Sequence, residues 1–242
     1  MEKEKKMSNS KLVTYTRRSP NYTKIANKKN THIVIHHMAG RLTVKQCGAV
    51  FADPKRQASS NYGVQGKNIG LYVDEKNRSW ATSDRGIDSK AVTIETSNST
   101  LSPDWKVSDA TLQTLIKLCA DICKRNNIKK LNYTGDKSGN LHLHKWYAAT
   151  ACPGPYLSSK MDYIASEVNK KLAGKKYSKK KKKNFTVTAN KLNMRKGAGT
   201  KYDIILELKK GNIVKGTGYY YPNHYQVTYK GKTGWVNKKY LK

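Results

Sequence analysis

The sequence predicts two units of different class: an α/β unit with a mixed β-sheet flanked by helices, followed by a small all-β barrel. Three observations lead there. Over the first 173 residues, β-branched strand candidates alternate with helix-spaced apolar stripes, the pattern of a sheet covered by helices. The run from Gly174 to Lys183, GKKYSKKKKK, repels itself and cannot build a core, so it reads as an extended spacer. Beyond it, short strands separated by glycine turns replace the helix pattern. The expected organisation is a first domain over 1–173, a Lys-rich linker over 174–184 and a second domain over 185–242. A chain of 242 residues has room for one medium and one small core.

Taken in order, HIVIHH (32–37) reads as a strand, and TVKQCGAVFAD as a short helix starting at Thr43. IGLYVDE (69–75) and AVTIETS (91–97) are further strands, rich in β-branched and aromatic residues. Ser108 is the expected N-cap of a helix running to about Asn126. KLNYTG (130–135) reads as another strand. Ser158 or Ser159 is expected to cap a last helix with Met161, Ile164, Ala165, Val168 and Leu172 on one face. After the spacer, FTVTANKLNMRKGAG, DIILELKKGNIVKGTG and YQVTYKGKTGWVNKKYL supply the strands of the barrel.

The formal net charge of +32 is unevenly spread. Residues 174–242 hold 19 Lys or Arg against Asp203 and Glu207 alone, which is +17. Such a field implies a polyanionic partner: nucleic acid, an acidic cell-surface polymer or anionic lipid. Charge does not choose among them. The N-terminal MEKEKKMSNSKLVTY has no apolar stretch behind its charges, so no secretory signal is expected, and no window has the length of a membrane span. With no secretory route, the four cysteines are expected to be free. Cys119 and Cys123 share the apolar stripe of their helix with Leu112, Leu115, Ile116 and Ile122, and read as core thiols, as does Cys47.

The chemistry concentrates in LHLHKWYAATACPGPYL (141–157), where His144 and Cys152 stand eight residues apart. Imidazole and thiolate are both good zinc donors, but two ligands do not make a site. The third comes from His32, His36, His37, His142 or His224. His36 and His37 end an apolar strand, where a side chain reaches a cleft from a rigid base. Alternation sends them to opposite faces, so one of the pair is favoured without periodicity saying which.

IVIHHMAG, the later AVTIETS and the H-x7-C-P-G run His144…Cys152-Pro153-Gly154 together resemble the N-acetylmuramoyl-L-alanine amidase type 2 family, which includes phage endolysins, bacterial autolysins and the peptidoglycan recognition proteins. The similarity spans roughly residues 8–172 and looks nearest to clostridial phage endolysins. It implies Zn2+ as cofactor, His36, His144 and Cys152 as its ligands, and peptidoglycan as substrate. His37 is left to packing or to supporting a ligand. Three ligands leave a position for water, which zinc acidifies.

A carboxylate is then needed to take the proton from that water and hand it to the leaving amine. Glu95 is the candidate. It stands on the polar face of AVTIETS among apolar neighbours, so burial should raise its pKa. The resemblance implies the same, because relatives use a glutamate in a V-x-I/V-E context as acid/base. Asp74 and Glu75 are the rivals. Thr150, where relatives carry lysine or threonine, reads either as an oxyanion partner or as a turn residue. Some relatives use a tyrosine at the position where Ser60 falls here, so no catalytic tyrosine is carried over. Tyr62, Asn61 and His142 are candidate substrate-binding residues of the groove, and Trp146 belongs to the groove or to packing. His142 also competes as a fourth ligand.

Leu192-Asn193-Met194-Arg195, Gly197, Gly199, Gly231-Lys232-Thr233-Gly234-Trp235-Val236 and Tyr240-Leu241 resemble a bacterial SH3-like domain, with Tyr225 where tryptophan is usual. The resemblance implies wall binding, which would hold the enzyme at its substrate. Tyr219, Tyr220, Tyr221 and Tyr225 either form a stacking surface or fill the barrel. The basic half then fits anionic wall polymers, and no nucleic acid or membrane partner is expected. The layout implies a phage endolysin that stays in the host cytoplasm until released to the wall, with an autolysin or a non-catalytic wall sensor as alternatives.

Overall fold

The computed structural model describes residues 9–173, 178–179, 183–200, 202–221 and 223–242. The chain divides into two compact units, Met1–Ala173 and Gly174–Lys242. Of the expected linker, 174–177 and 180–182 lie outside the described residues.

The first unit is built on a six-stranded mixed sheet of order β1-β5-β4-β7-β3-β8. These strands are β1 (Tyr15–Thr16), β3 (His32–His37), β4 (Tyr62–Gln65), β5 (Asn68–Leu71), β7 (Ala91–Thr96) and β8 (Leu141–Leu143). A separate pair, β2 (Tyr22–Lys24) and β6 (Asn77–Ser79), runs antiparallel. The four strands β4, β7, β3 and β8 are mutually parallel. Parallel strands are covered on both faces, which is why HIVIHH and AVTIET read as continuous runs of buried residues.

Four helices complete the unit: α1 (Val44–Ala52), α2 (Arg85–Asp88), α3 (Asp109–Arg125) and α4 (Gly154–Leu172). Ile33, Ile35, Val92 and Ile94 belong to one core with Leu115, Ile116 and Ile122 of α3 and Leu157, Met161 and Ile164 of α4. Cys119 and Cys123 are fully buried in it and free, as their position in the apolar stripe requires. Thr43 caps α1 through a reciprocal box with Gln46, and Ser108 caps α3 through the Thr111 amide.

Two details set the cleft side of the sheet. Tyr72 crosses the β4–β5 hairpin at Gly63 and Gly70, where an added Cβ would sit 2.3 and 2.7 Å from its hydroxyl. That hydroxyl donates to the Val44 carbonyl at 2.8 Å and so fixes the start of α1 against the sheet. Behind it, Arg125 holds the buried Glu75 with two N–H donors, at 2.6 and 2.9 Å, while the Tyr62 hydroxyl donates to the same carboxylate at 2.6 Å.

Three local expectations need correction. KLNYTG forms no strand: both backbone groups of Leu131 bond the Asn169 side chain on α4, at 2.8 Å each, so a side chain replaces a neighbouring strand. The edge strand is Leu141–Leu143 instead. Helix α4 begins at Gly154, ahead of Ser158 and Ser159, and neither serine caps it. IGLYVDE is in strand only to Leu71, because the Tyr72 amide turns to the Asn61 carbonyl.

The second unit is an antiparallel sheet of order β10-β13-β14-β15-β11-β12, with β9 paired to β13. Its strands are β9 (Ser178–Lys179), β10 (Asn184–Thr186), β11 (Lys191–Arg195), β12 (Ile204–Lys209), β13 (Ile213–Tyr221), β14 (His224–Tyr229) and β15 (Lys232–Asn237). Phe185, Leu192, Met194, Leu208, Val227 and Val236 are among the residues of its core. Tyr225 packs on that core and stacks on Phe185 at 4.8 Å, so it serves the barrel filling.

Candidate metal centre and cleft

Parallel pairing brings the chemistry to one end of the sheet. His36 and Glu95 are register partners on β3 and β7, and Ile35 is partner to Leu143, which directly precedes His144. The segment after β8 then folds back on itself. The Lys145 amide donates to the Cys152 carbonyl at 2.9 Å, and the Cys152 amide donates to Thr150 Oγ1 at 3.2 Å. This closure explains how an eight-residue spacing places His144 and Cys152 side by side. The outcome lies at the carboxyl ends of parallel strands, the usual place for a ligand crevice in an open α/β sheet.

The candidate ligand atoms of His36, His144 and Cys152 all lie within 4.8 Å of one another, and among the described residues they form the one such group of His, Cys and carboxylate side chains. The Nδ1 atoms of the two imidazoles approach to 3.1 Å. Burial drives the His36 pKa well below the ordinary value, with the nearby His144 and His37 acting in the same direction, and burial lowers His144 too. Both rings are therefore neutral, the form that ligates a metal. Burial, reinforced by Glu95, pushes the Cys152 thiol up, so without a cation it stays protonated. The Nε2 atoms of both histidines are buried without a partner. Two neutral imidazoles and a thiol converging without a carboxylate among them suit a borderline-soft cation such as zinc.

Glu95 sits beside this group, its Oε1 4.0 Å from His36 Nδ1 and its side chain 15% exposed. Its Oε2 has no hydrogen-bond partner. Burial pushes its pKa up to about 8, with Arg56 pulling the other way. The His37 backbone N–H donates to Cys152 Sγ at 3.4 Å, and the His37 ring stands edge-on to Trp105 at 5.1 Å. His37 thus supports the thiol through its backbone.

The group lines a cleft of about 510 Å3. Cys47, Val50 and Phe51 of α1 line it, as do Arg78, Trp80 and Ala81. Thr150 lines the cleft and is exposed. Cys47 is buried as expected, but on the cleft wall.

The groove residues expected from sequence are elsewhere. Tyr62 is fully buried, its hydroxyl taken up by Glu75 and by the Ser10 amide. Asn61 is equally buried and spends its amide oxygen on Thr93 and its nitrogen on the Val73 carbonyl. His142 bonds the Gly139 carbonyl and the Tyr147 hydroxyl and stands near His32, away from the ligand group. All three are scaffold residues. Trp146 packs on the core and stacks on Tyr133. Of the rival carboxylates, Glu75 is consumed by Arg125, and Asp74 pairs with Arg18. Sequence reasoning missed Arg56, Arg78, Trp80 and Arg85; the only signal was a Trp and three Arg in segments too polar for core strands.

The fold and this site define a mixed α/β protein with a candidate metal site in a cleft at the ends of its parallel strands, followed by a small all-β unit. The chain belongs to the N-acetylmuramoyl-L-alanine amidase family, whose model matches residues 26–155; residues 190–242 match the bacterial SH3 domain. Its activity is peptidoglycan hydrolysis. Among solved structures, the Staphylococcus aureus hydrolase AmiA in complex with its ligand is similar at a TM-score of 0.53 and 16% identity, over 66% of this chain and 84% of that one. The catalytic domain of XlyA is similar at 0.50 and 14% identity, over 64% of this chain and 99% of that one. These likenesses concern the fold. No curated protein matches the chain. No helix among the described residues is long and apolar enough to cross a membrane.

Proposed function

We propose that this protein is a zinc-dependent N-acetylmuramoyl-L-alanine amidase of the endolysin type, cutting the amide between the lactyl group of muramic acid and L-alanine. The observation that carries the reading is the convergence of His36, His144 and Cys152 beside a buried, unpartnered carboxylate oxygen. His36, His144 and Cys152 would hold the metal. Zinc bound there supplies Lewis acidity toward the scissile carbonyl and acidifies water.

The rest is done by the chain's own residues. Glu95 takes a proton from the attacking water at its free oxygen and delivers it to the departing L-alanine nitrogen. Its largely buried position keeps its basicity high enough for that exchange. Thr150 accepts from the Cys152 amide at its hydroxyl oxygen and lines the cleft, which leaves its O–H to donate to a developing oxyanion. The His37 amide keeps the thiolate charge in place. The second unit and its excess of Lys and Arg tether the enzyme to wall polymers that are anionic. Glu95→Gln with zinc retained and turnover reduced 10²- to 10⁴-fold is the expected result for a general base. Full turnover in that variant would remove Glu95 from the mechanism.

A further inference from the structure

The second unit holds a pocket of its own, of about 350 Å3, which the hydrolytic chemistry does not use. It arises from an irregularity in the β13–β14 ladder. Gly216 pairs with Val227 and Tyr220 with Tyr225, so Thr217, Gly218 and Tyr219 stand opposite Gln226 alone. Extra residues on one strand bulge out of the sheet. Two glycines permit it: Gly218 has a φ of 90°, and a Cβ on Gly216 would sit 2.7 Å from the Phe185 ring.

Aromatic rings and one oriented amide line the space. Phe185, Tyr219 and Tyr225 supply its apolar lining. The Thr217 hydroxyl donates to Gln226 Oε1 at 2.8 Å, which fixes the orientation of that amide. Gln226 Nε2 makes no hydrogen bond among the described residues, so its N–H donors are left for a ligand. Lys183 also lines the pocket, its side chain exposed and its ammonium 4.9 Å from the centre of the Phe185 ring. Apolar walls with a few placed polar groups are the make-up of a small-molecule site, and this volume lies at the low end of the usual range of roughly 300–1,000 Å3.

We propose that this pocket binds an N-acetylmuramic acid residue whose lactyl carboxylate is free, the glycan product of the cut. This rests on the amidase reading. Hydrolysis breaks the lactyl C–N bond, adds the water oxygen to the carbonyl carbon, and leaves a carboxylate on the sugar and an amine on L-alanine. Each cut therefore turns a neutral amide of the glycan into an anion. Lys183 and the net +17 over residues 174–242 make an anionic ligand the complementary one. The apolar C–H face of the sugar ring lies on the aromatic lining, and the acetamido carbonyl accepts from Gln226 Nε2. Lys183 meets the new carboxylate with a charge-assisted bond. Thr217 is a positioning residue, and Gln226 and Lys183 are the contacts. The second unit then holds the enzyme on strands it has already opened, beside stems still to be cut.

The test is calorimetric titration of the full-length protein with peptide-free glycan oligosaccharides of one length. They carry their lactyl groups as free acids or as primary amides, and a chitooligosaccharide lacks lactyl groups altogether. Wild type is expected to bind the acid form about 10-fold more tightly than either of the others. Lys183→Gln brings acid and amide to equal affinity. Gln226→Leu weakens both, and Thr217→Val, which lets the amide turn, weakens both less, while Thr217→Ser keeps the wild-type values. Equal wild-type affinity for acid and amide, or the wild-type preference surviving in Lys183→Gln, overturns the proposal. Full affinity in both Gln226→Leu and Thr217→Val also overturns it, because charge alone would then hold the glycan. Cleavage of purified walls separates the two readings. Selective binding of the acid glycan without release of new L-alanine amino termini upholds the pocket and sinks the amidase reading. Normal cleavage with no acid preference in binding sinks the pocket alone.

Discussion

His36 and Glu95 are direct neighbours across two parallel strands, with a ring nitrogen and a carboxylate oxygen 4.0 Å apart. In the proposed mechanism one residue would offer a metal a neutral imidazole and the other would offer water a base. Both are carried on backbone that the sheet makes rigid, with His36 only 1% exposed.

The burial of Glu95 has a consequence for the metal-free protein. Its folded pKa of about 8 lies above the ordinary 4.5. The folded state therefore binds more protons than the unfolded state in that interval, and stability falls as pH rises through it. Below the lower value the contribution is fully present. Denaturant titrations of metal-free wild type and Glu95→Gln are expected to converge near pH 4 and to diverge by a few kcal/mol by about pH 8, wild type becoming the weaker. Parallel curves across that range would contradict the assignment.

Arg125 and Glu75 form a buried pair whose members are 16% and 1% exposed. Removing one partner leaves a charge without compensation. Arg125→Ala is expected to cost about 3–5 kcal/mol by chemical denaturation. A loss below about 1 kcal/mol would mean that water reaches Glu75.

Gly63 has no room for a side chain because the Tyr72 hydroxyl occupies it. Gly63→Ala is expected to destabilise by about 1–3 kcal/mol. Since the same hydroxyl ties α1 to the sheet through Val44, the cleft wall shifts and KM rises. Unchanged stability together with unchanged KM would show that Tyr72 moves aside freely.

The excess of Lys and Arg beyond residue 174 predicts salt-sensitive wall binding. Raising salt from about 0.1 M to about 1 M shortens the Debye length from about 10 Å to about 3 Å. Sedimentation with purified walls should show affinity falling across that range. Constant binding would mean that the charge does not contribute to targeting.

Arrangements that follow from local spacing were legible in the sequence. His144 and Cys152 are joined by a loop that closes on itself, and Thr43 and Ser108 act within one helical turn of their partners. What depended on distant partners was not legible. KLNYTG has strand composition, yet Asn169, 38 residues away, takes its backbone bonds. Tyr62, Asn61 and His142 have groove chemistry, but Glu75, Thr93 and Tyr147 satisfy them inside the fold. Arg78 and Trp80 carried no periodic signal, because it is Thr23, 55 and 57 residues earlier, that assembles them.

The central claim is a zinc-dependent amidase with its metal on His36, His144 and Cys152. One assay tests it most directly: metal content alongside the identity of the bond cut in purified walls, for wild type and Cys152→Ala. Wild type should carry one zinc per chain and release new L-alanine amino termini without new reducing sugar ends. Cys152→Ala should lose both the zinc and the activity. Reducing ends in place of amino termini, or full activity in a zinc-free Cys152→Ala protein, would contradict the account.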